Sequence, residues 1–288
     1  MTVLPIRTAT AQIVDQPPSL GEELRTIGMV WQRELIRFER TRSRILSGFI
    51  QPFVFLFVLG YGMSTLTPTI HGFGFTKFVL PGVVAMTVST TAIGSAISIV
   101  WDREFGFLRE MLVAPVSRAA LVVGKCLGGA TIASTQGTIM LLLAPLVGVH
   151  LTVAVVFEVI GCELLMALTL TAFGISVASR IQSMEGFAVV MQLMLFPMLF
   201  LSGALFPLAG LPTWLGVITR LNPLTYAVDP VRHIVQAAQH LTPQAAARFP
   251  VGVSLFGTTL PMGAELGIVA ALAVAFLALA VSGFRRTG

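Results

Sequence analysis

Six long runs of apolar residues, nearly free of charge, dominate the chain, and each is about as long as a membrane-spanning helix requires. They cover residues 45–63, 78–101, 126–149, 151–179, 186–208 and 266–284. Their apolar positions are continuous and do not alternate over ten residues, which favours helices over the strands of a membrane barrel. The pattern therefore predicts an all-α integral membrane protein with six transmembrane helices. The third run is expected to begin near Leu121 and to carry Lys125 near its end.

The segment before the first run has a different pattern. Apolar residues recur there at three- and four-residue spacing, which places them on one helix face: Leu24, Ile27, Trp31, Leu35 and Phe38. Arginines fill much of the remainder and adjoin the first span. The pattern predicts an amphipathic helix over residues 22–44 at the cytoplasmic membrane interface, in preference to a solvated helix. Residues 1–21 lack any such period and are expected to form a flexible cytoplasmic tail.

Composition agrees with a membrane location. Apolar residues make up 55% of the 288 residues and charged residues only 11%, with a mean hydropathy of +0.89. So few charged side chains cannot cover a soluble surface. The net charge of +5 does not indicate nucleic-acid binding, because the basic residues flank apolar runs. Cys126 and Cys162 both lie inside apolar runs, which favours neither a disulfide framework nor a metal site.

Basic residues also predict the orientation. In a six-span arrangement, 14 of the 18 lysines and arginines lie on the side of the two termini, and four lie on the other side. Because basic residues accumulate in cytoplasmic loops, both termini are predicted to be cytoplasmic in a multi-pass cell-membrane protein. Residues 101–118 then lie in the cytoplasm. Residues 209–265 lie mostly outside, and their apolar content, broken by prolines, predicts re-entrant outer helices before the sixth span.

Catalytic motifs find no support. The four histidines form no HExxH motif and map to loops or to outer ends of spans. Gly174 and Ser176 resemble a nucleophile among small residues, but small-residue helix packing explains them better. Gly124-Lys125 lacks the glycine and the hydroxyl residue that a phosphate-binding loop needs, since Ala119 and Cys126 occupy those positions. The chain is therefore expected to be no enzyme by itself and to bind no cofactor.

Residues 101–118, between the second and third runs, alternate charged and apolar side chains. A short helix here would present Phe105, Leu108 and Leu112 on one face, while Glu104 and Arg109 would set the orientation of a partner by charge. By physical chemistry alone, a docking helix and an ordinary solvated loop are equally good interpretations.

Two stretches resemble signatures of the ABC-2 type transporter permeases, especially the drug-resistance and nodulation-factor exporters. They are EFGFLREMLVAPVSR at 104–118, and LFPLAGLPTW at 205–214 followed by NPLTYAVDPVR at 222–232. The resemblance covers about residues 25–285, and residues 45–288 would form the six-span domain. It implies a coupling helix within 101–118 that contacts a separate ATPase. The implied coupling residues are Glu104, Phe105, Gly106, Leu108, Arg109, Glu110, Leu112, Pro115 and Arg118. The implied outer signature comprises Pro207, Pro212, Trp214, Asn222, Pro223, Tyr226, Asp229 and Arg232.

The resemblance also implies partners. Two cytoplasmic ABC ATPase subunits, which bind ATP and Mg, would dock beneath two permease chains, identical or homologous, in the lipid bilayer. It implies an exporter as well. An intramembrane enzyme acting on lipid and an ion-coupled secondary transporter remain the alternatives. An intramembrane enzyme should place catalytic His, Ser or Asp side chains at the same depth in the membrane. A secondary transporter should show a broken helix at corresponding positions in each half of the chain.

A few polar residues inside the predicted spans are candidates for a substrate path: Gln136, Glu163 and Gln192. Glu163 would lie about 18 Å deep at 1.5 Å per residue. An acidic side chain at that depth costs roughly 2.5–3.5 kcal/mol, so it should face protein or water. It either lines a path or bonds another helix. Glu158, five residues earlier, points about 140° away and cannot pair with it. Mainly apolar spans suit an amphipathic or lipid-like substrate, such as a drug, a glycolipid or a lipid-linked glycan.

Overall fold

The computed structural model describes residues 19–66, 73–106, 117–206, 208, 212–239, 242–248, 251–255 and 258–286. These residues are almost entirely helical. The α-helices are α1 (Leu20–Arg40), α2 (Arg42–Val54), α3 (Gly60–Ser64), α4 (Phe75–Ser95), α5 (Ile97–Glu104), α6 (Arg118–Leu141), α7 (Val153–Ala178), α8 (Met184–Phe200), α9 (Thr213–Leu221), α10 (Pro223–Ala237), α11 (Pro243–Arg248) and α12 (Met262–Arg286).

The amphipathic segment forms α1, which ends earlier than the predicted range of 22–44 because Thr41 interrupts the helix and α2 begins at Arg42. Its start is fixed by a capping box. The Ser19 hydroxyl accepts from the backbone N–H of Glu22, and the Glu22 carboxylate accepts from the backbone N–H of Ser19 at 2.8 Å. These hydrogen bonds lower the pKa of the Glu22 carboxyl.

Each of the six apolar runs contains helix. Four helical stretches are long and apolar enough to cross a membrane: Phe75–Glu104, Arg118–Val147, Val153–Ala178 and Met262–Phe284. The first and fifth runs correspond to the shorter apolar stretches Gly48–Ser64 and Met184–Phe200. The protein is therefore a multi-pass, all-helical membrane protein, and the six-span count stays a prediction.

Two spans depart from a regular α-helix. The first run consists of three consecutive elements: α2, then a π-helical stretch over Phe55–Leu59, and then α3. Pro52, which cannot donate to the helical ladder, lies just before the π-helical stretch. The second run divides into α4 and α5 at Ala96.

The fifth run was predicted to stay helical to residue 208, and this is wrong. Helix α8 ends at Phe200, and the chain then turns through Gly203, whose φ is +77°. Arg232 of α10 donates to the carbonyls of Gly203 and Ala204, so these two carbonyl groups have a hydrogen-bond donor on another helix. The turn is thus held by a side chain almost thirty residues away.

Helix α4 lies at the centre, packed against α6 and α7, while α12 packs on α7 and α10 contacts α4, α7 and α12. Small residues allow these close approaches, as is common between membrane helices. A Cβ atom at Gly174 would come within 3.0 Å of the Ala96 methyl group, which supports the packing interpretation of Gly174 and Ser176.

The segment 209–265 contains helices α9, α10 and α11, and its apolar content, broken by prolines, had predicted short helices there. Helix α10 is largely buried against three of the long helices. A small antiparallel ladder, Ser254–Leu255 with Thr258–Thr259, was not predicted. The location of these helices in the outer leaflet stays a prediction.

Candidate functional site

The most charged part of the interior lies where α1 crosses the beginning of α6. Glycines on α6 let α1 approach: a Cβ atom at Gly124 would lie 2.8 Å from Val30, and one at Gly128 would lie 2.8 Å from Glu34. Any larger residue at these two positions would push the helices apart. The contact buries Val30 and Glu34 of α1.

Lys125 is the centre of a buried ion-pair network, called the Lys125 network below. Its side chain is 4% exposed, and its Nζ donates to Asp102 Oδ2 at 2.7 Å, Glu34 Oε1 at 3.0 Å and Ser98 Oγ at 3.1 Å. The three N–H donors of the ammonium group thus have three acceptors. Asp102 Oδ1 faces Arg33 at 3.2 Å and Arg37 at 3.6 Å. The network joins α1, α5 and α6.

Two further arginines join the ends of α5 and α6 to neighbouring spans. Arg103 donates to the carbonyls of Ser179 at 3.0 Å and Ile181 at 2.9 Å, in the turn after α7. Arg118 donates to the carbonyl of Phe284 at 2.7 Å, near the end of α12. The helices on both sides of residues 107–116 are thereby bonded to α7 and α12.

The predicted coupling residues fall partly within the described structure. Glu104 ends α5, Gly106 takes a φ of +81°, and Arg118 begins α6. Phe105 is 59% exposed, with its ring centroid 5.1 Å from that of Trp101. The other five coupling residues lie outside the described residues: Leu108, Arg109, Glu110, Leu112 and Pro115.

Beside the Lys125 network lies a polar cavity of about 200 Å³ between α1, α2, α4 and α6, called the Gln136 cavity below. Its polar lining comprises Glu34, Arg37, Gln51, Thr90, Thr91, Ser95 and Gln136. Gln136 is 2% exposed, and its Oε1 accepts from the Thr91 hydroxyl. Its Nε2 has no hydrogen-bond partner among the described residues, which is unusual for a buried amide.

The other two predicted path residues do not share this cavity. Glu163 is fully buried, and its Oε2 accepts from the Thr138 hydroxyl of α6 at 2.9 Å. This contact favours the interpretation in which Glu163 bonds another helix. Gln192 is exposed on α8. The structure therefore does not bring Gln136, Glu163 and Gln192 together as one path.

The outer signature residues connect backbone segments. Asn222 caps α10 through the N–H of Leu224 at 3.1 Å and donates to the Met198 carbonyl at 2.7 Å. Tyr226 donates to the Arg220 carbonyl at 2.7 Å. Pro223 begins α10, Pro212 precedes α9, and Trp214 of α9 is exposed. Pro207 lies outside the described residues. These contacts hold the loop together.

Asp229 and Arg232 of the same signature are buried. Asp229 Oδ2 accepts from the Gly252 N–H at 2.9 Å, and Glu265 Oε1 accepts from the Val253 N–H at 3.2 Å. The Arg232 guanidinium lies 4.3 Å from the Phe78 ring centroid, a cation–π contact. Burial lowers its pKa to about 10, so the group keeps its charge at neutral pH.

The arrangement is an ion-pair network between three helices. Across the ranges that the structure describes, no three His, Cys, Asp or Glu side chains are placed to hold a metal ion. The Lys125 network was not predicted from the sequence, although Lys125 inside an apolar run was a signal that an acidic partner should lie at its depth.

Comparison with known proteins places these features in a family. The model of the ABC-2 type transporter family matches residues 25–235, which include the Lys125 network and the Gln136 cavity. The putative transport permease ycf38 of Cyanophora paradoxa is 29% identical over 210 residues, covering 70% of this chain and 71% of that protein. Nodulation protein J of Rhizobium leguminosarum bv. viciae is 28% identical over 206 residues, covering 70% and 79%. The chain belongs to the ABC-2 type transporter family.

Proposed function

We propose that the chain is the permease subunit of an ATP-binding-cassette exporter. It moves an amphipathic or lipid-like molecule outward, and a separate ATPase chain supplies the energy. Family membership supports the transport role over the two alternatives, an intramembrane enzyme and an ion-coupled transporter. Relatives that are named as transport permeases also support a transport role.

The observation that carries the proposal is the Lys125 network. Helices α5 and α6 flank residues 107–116, where the ATPase is proposed to dock. Lys125 on α6, Asp102 on α5 and Glu34 on α1 are joined by ion pairs of 2.7 and 3.0 Å. A displacement applied to that segment would therefore move all three helices together. This is the mechanical connection that a permease needs in order to respond to ATP hydrolysis on another chain.

The exposed aromatic pair Trp101 and Phe105 supports docking at the predicted cytoplasmic end of α5. Arg37 lies over the Trp101 ring, with its guanidinium carbon 5.3 Å from the ring centroid. Aromatic and arginine side chains are the residues that most often dominate protein interfaces. In the proposed complex, two ATPase subunits that bind ATP and Mg dock here, beneath two permease chains.

The test is a pull-down of the co-expressed ATPase, together with ATP hydrolysis by the complex. Phe105→Ala is expected to weaken ATPase association, because central anchors of interfaces commonly carry more than about 1 kcal/mol. The matched control is Phe157→Ala, since Phe157 is 69% exposed at the start of α7, away from the docking surface. Wild-type association and hydrolysis by the Phe105 variant would contradict docking at this site. ATP hydrolysis by the purified chain alone would contradict the proposed function itself.

A further inference from the structure

Two buried carboxyl groups meet between α10 and α12. Asp229 of α10 is 7% exposed, and Glu265 of α12 is fully buried. Asp229 Oδ2 accepts from the backbone N–H of Gly252 at 2.9 Å. Glu265 Oε1 accepts from the next backbone N–H, that of Val253, at 3.2 Å. The two carboxyl groups also lie within hydrogen-bond reach of each other. They therefore form one site, which joins α10, α12 and the turn at Gly252.

The charges around this pair indicate that it holds one proton. Arg232, three residues after Asp229 on α10, is a buried cation beside it. One arginine offsets one carboxylate, so two ionised carboxyls would leave an uncompensated charge in the interior, which is costly. Glu265 Oε2 is buried and has no donor among the described residues. Because carboxylates only accept hydrogen bonds, two carboxyl groups can bond each other only if one is protonated. A single shared proton removes the surplus charge and gives Glu265 Oε2 a partner.

Other titratable side chains on the helices packed around the pair are directed to other groups or toward the surface. Tyr226 of α10 donates its hydroxyl proton to the Arg220 carbonyl of α9 at 2.7 Å. Glu163 of α7 accepts from the Thr138 hydroxyl of α6 at 2.9 Å. Three more are half-buried or exposed, namely His233 of α10, Lys77 of α4 and Glu158 of α7. Arg232 is therefore the buried cation that offsets the pair.

The carboxyl pair holds a turn that precedes the last helix. Gly252 has a φ of +103°, which residues with a Cβ atom rarely adopt. The Val253 carbonyl accepts from the Leu260 N–H at 3.0 Å, and the ladder of Ser254–Leu255 with Thr258–Thr259 follows directly. The pair thus bonds the start of this hairpin to both α10 and α12. If both carboxyls were ionised, two like charges would lie within hydrogen-bond reach, which favours their separation.

We propose that Asp229 and Glu265 share one proton and act as a pH-sensitive latch between α10, the turn at Gly252 and α12. With the proton present, the two carboxyls bond each other, and both N–H bonds to the turn persist. When a rise in pH removes the proton, the two carboxylates repel, and the turn separates from the helices. In the predicted orientation the latch lies outside the cell and responds to external pH. The inference goes beyond the proposed export function and does not rest on it, because the latch belongs to this chain alone.

Hydrogen exchange of the full chain in phosphatidylcholine nanodiscs tests the latch. Protection factors, which correct for the intrinsic effect of pH on exchange, are measured for the amides of Gly252 and Val253. The series runs from about pH 6 to about pH 9, a range in which exposed carboxyls stay ionised and do not titrate. Once the shared proton begins to leave, protection is expected to fall about tenfold per pH unit, the dependence that loss of one proton produces. Constant protection across the whole range overturns the proposal.

Amide variants separate the proton from the other roles of the pair. In Glu265→Gln the side-chain amide can accept from Val253 and donate to Asp229, and it does not titrate. Asp229→Asn makes the same change from the other side and is used if Glu265→Gln does not fold. Each variant keeps one carboxylate beside Arg232, so protection of the turn is expected to stay high at every pH. The control Glu158→Gln makes the same change at an exposed residue of α7 and should keep the pH dependence of the wild type.

Infrared spectra supply a readout that a purely structural role of the pair would not change. The difference between wild type and Glu265→Gln at neutral pH is expected to contain the C=O band of a protonated carboxyl. In the wild type this band should disappear over the same pH range in which protection falls, a comparison that needs no variant. Absence of the band overturns the shared proton. If a folded amide variant keeps the pH dependence of the wild type, another group such as His233 controls the turn, and the proposal is overturned.

Discussion

Replacing Lys125 with methionine gives the sharpest test of how the Lys125 network holds α1 in place. Methionine has a similar length but carries no charge. Asp102 would keep Arg33 at 3.2 Å and Arg37 at 3.6 Å. Glu34, however, has Lys125 as its ion-pair partner and is itself buried, so its carboxylate would lose that partner.

The size of the effect follows from burial. Removing one partner of a buried ion pair costs about 3–5 kcal/mol, because the other charge is left without compensation. At about 2–4 °C of Tm per kcal/mol for a chain of this size, Lys125→Met should lower Tm by roughly 6–20 °C. Unfolding is followed by a thermal melt of the purified chain in nanodiscs. Hydrogen exchange should also accelerate across α1, since that helix loses its main polar anchor.

Two comparisons make the result specific. The control is Lys77→Met, which changes the other lysine of the chain, outside the network. Combining Lys125→Met with Glu34→Leu removes both charges, so the double variant should recover part of the lost stability. The reasoning is refuted if Lys125→Met melts like the wild type with unchanged exchange in α1, or if the double variant is no more stable than the single one.

Three further predictions address topology, the Glu163 contact and the start of α1. A cysteine at Thr242 should react with an impermeant thiol reagent in intact cells and one at Ser117 should not; reversed labelling would contradict the orientation. Thr138→Val should lower Tm, since the Glu163 carboxyl loses one donor at a cost of about 1–3 kcal/mol; an unchanged Tm would show that the bond does not contribute to stability. The pKa of Glu22 is lowered in the folded chain, so its contribution to α1 is present above the ordinary carboxyl pKa and is lost as pH falls through the lowered value. The protection factors of amides near residue 20, which correct for the intrinsic effect of pH on exchange, should therefore fall in acid in the wild type and not in Glu22→Gln.

The sequence predicted the helices well where a long apolar run determined them. The runs at 151–179 and 266–284 correspond closely to α7 and α12. The two acidic residues of the fourth run were predicted not to share a helix face, and Glu163 is buried while Glu158 is exposed. These properties depend only on residues close together in the chain.

The buried face of α1 was not predicted. The sequence placed the apolar stripe at the membrane interface and gave no contacts between α1 and other helices. In the structure Leu24 of that stripe is 69% exposed, and Thr26, Val30 and Glu34 are the buried residues. The two glycines of α6 and Lys125 decide which side of α1 meets protein, and no periodicity within α1 contains that information. An exposed apolar stripe is what a helix at a membrane interface needs.

The candidate site was decided by tertiary structure for the same reason. Lys125 is 91 residues from Glu34 and 23 from Asp102, so the sequence shows only an isolated charge in an apolar run. Likewise, the apolar run after α8 predicted helix to residue 208, but Arg232 bonds the carbonyls of a turn that follows Phe200. Apolar content alone indicated where the helices long and apolar enough to cross a membrane lie. Where a helix ends, and which charges are compensated, depended on donors and acceptors that distant segments bring within hydrogen-bond distance.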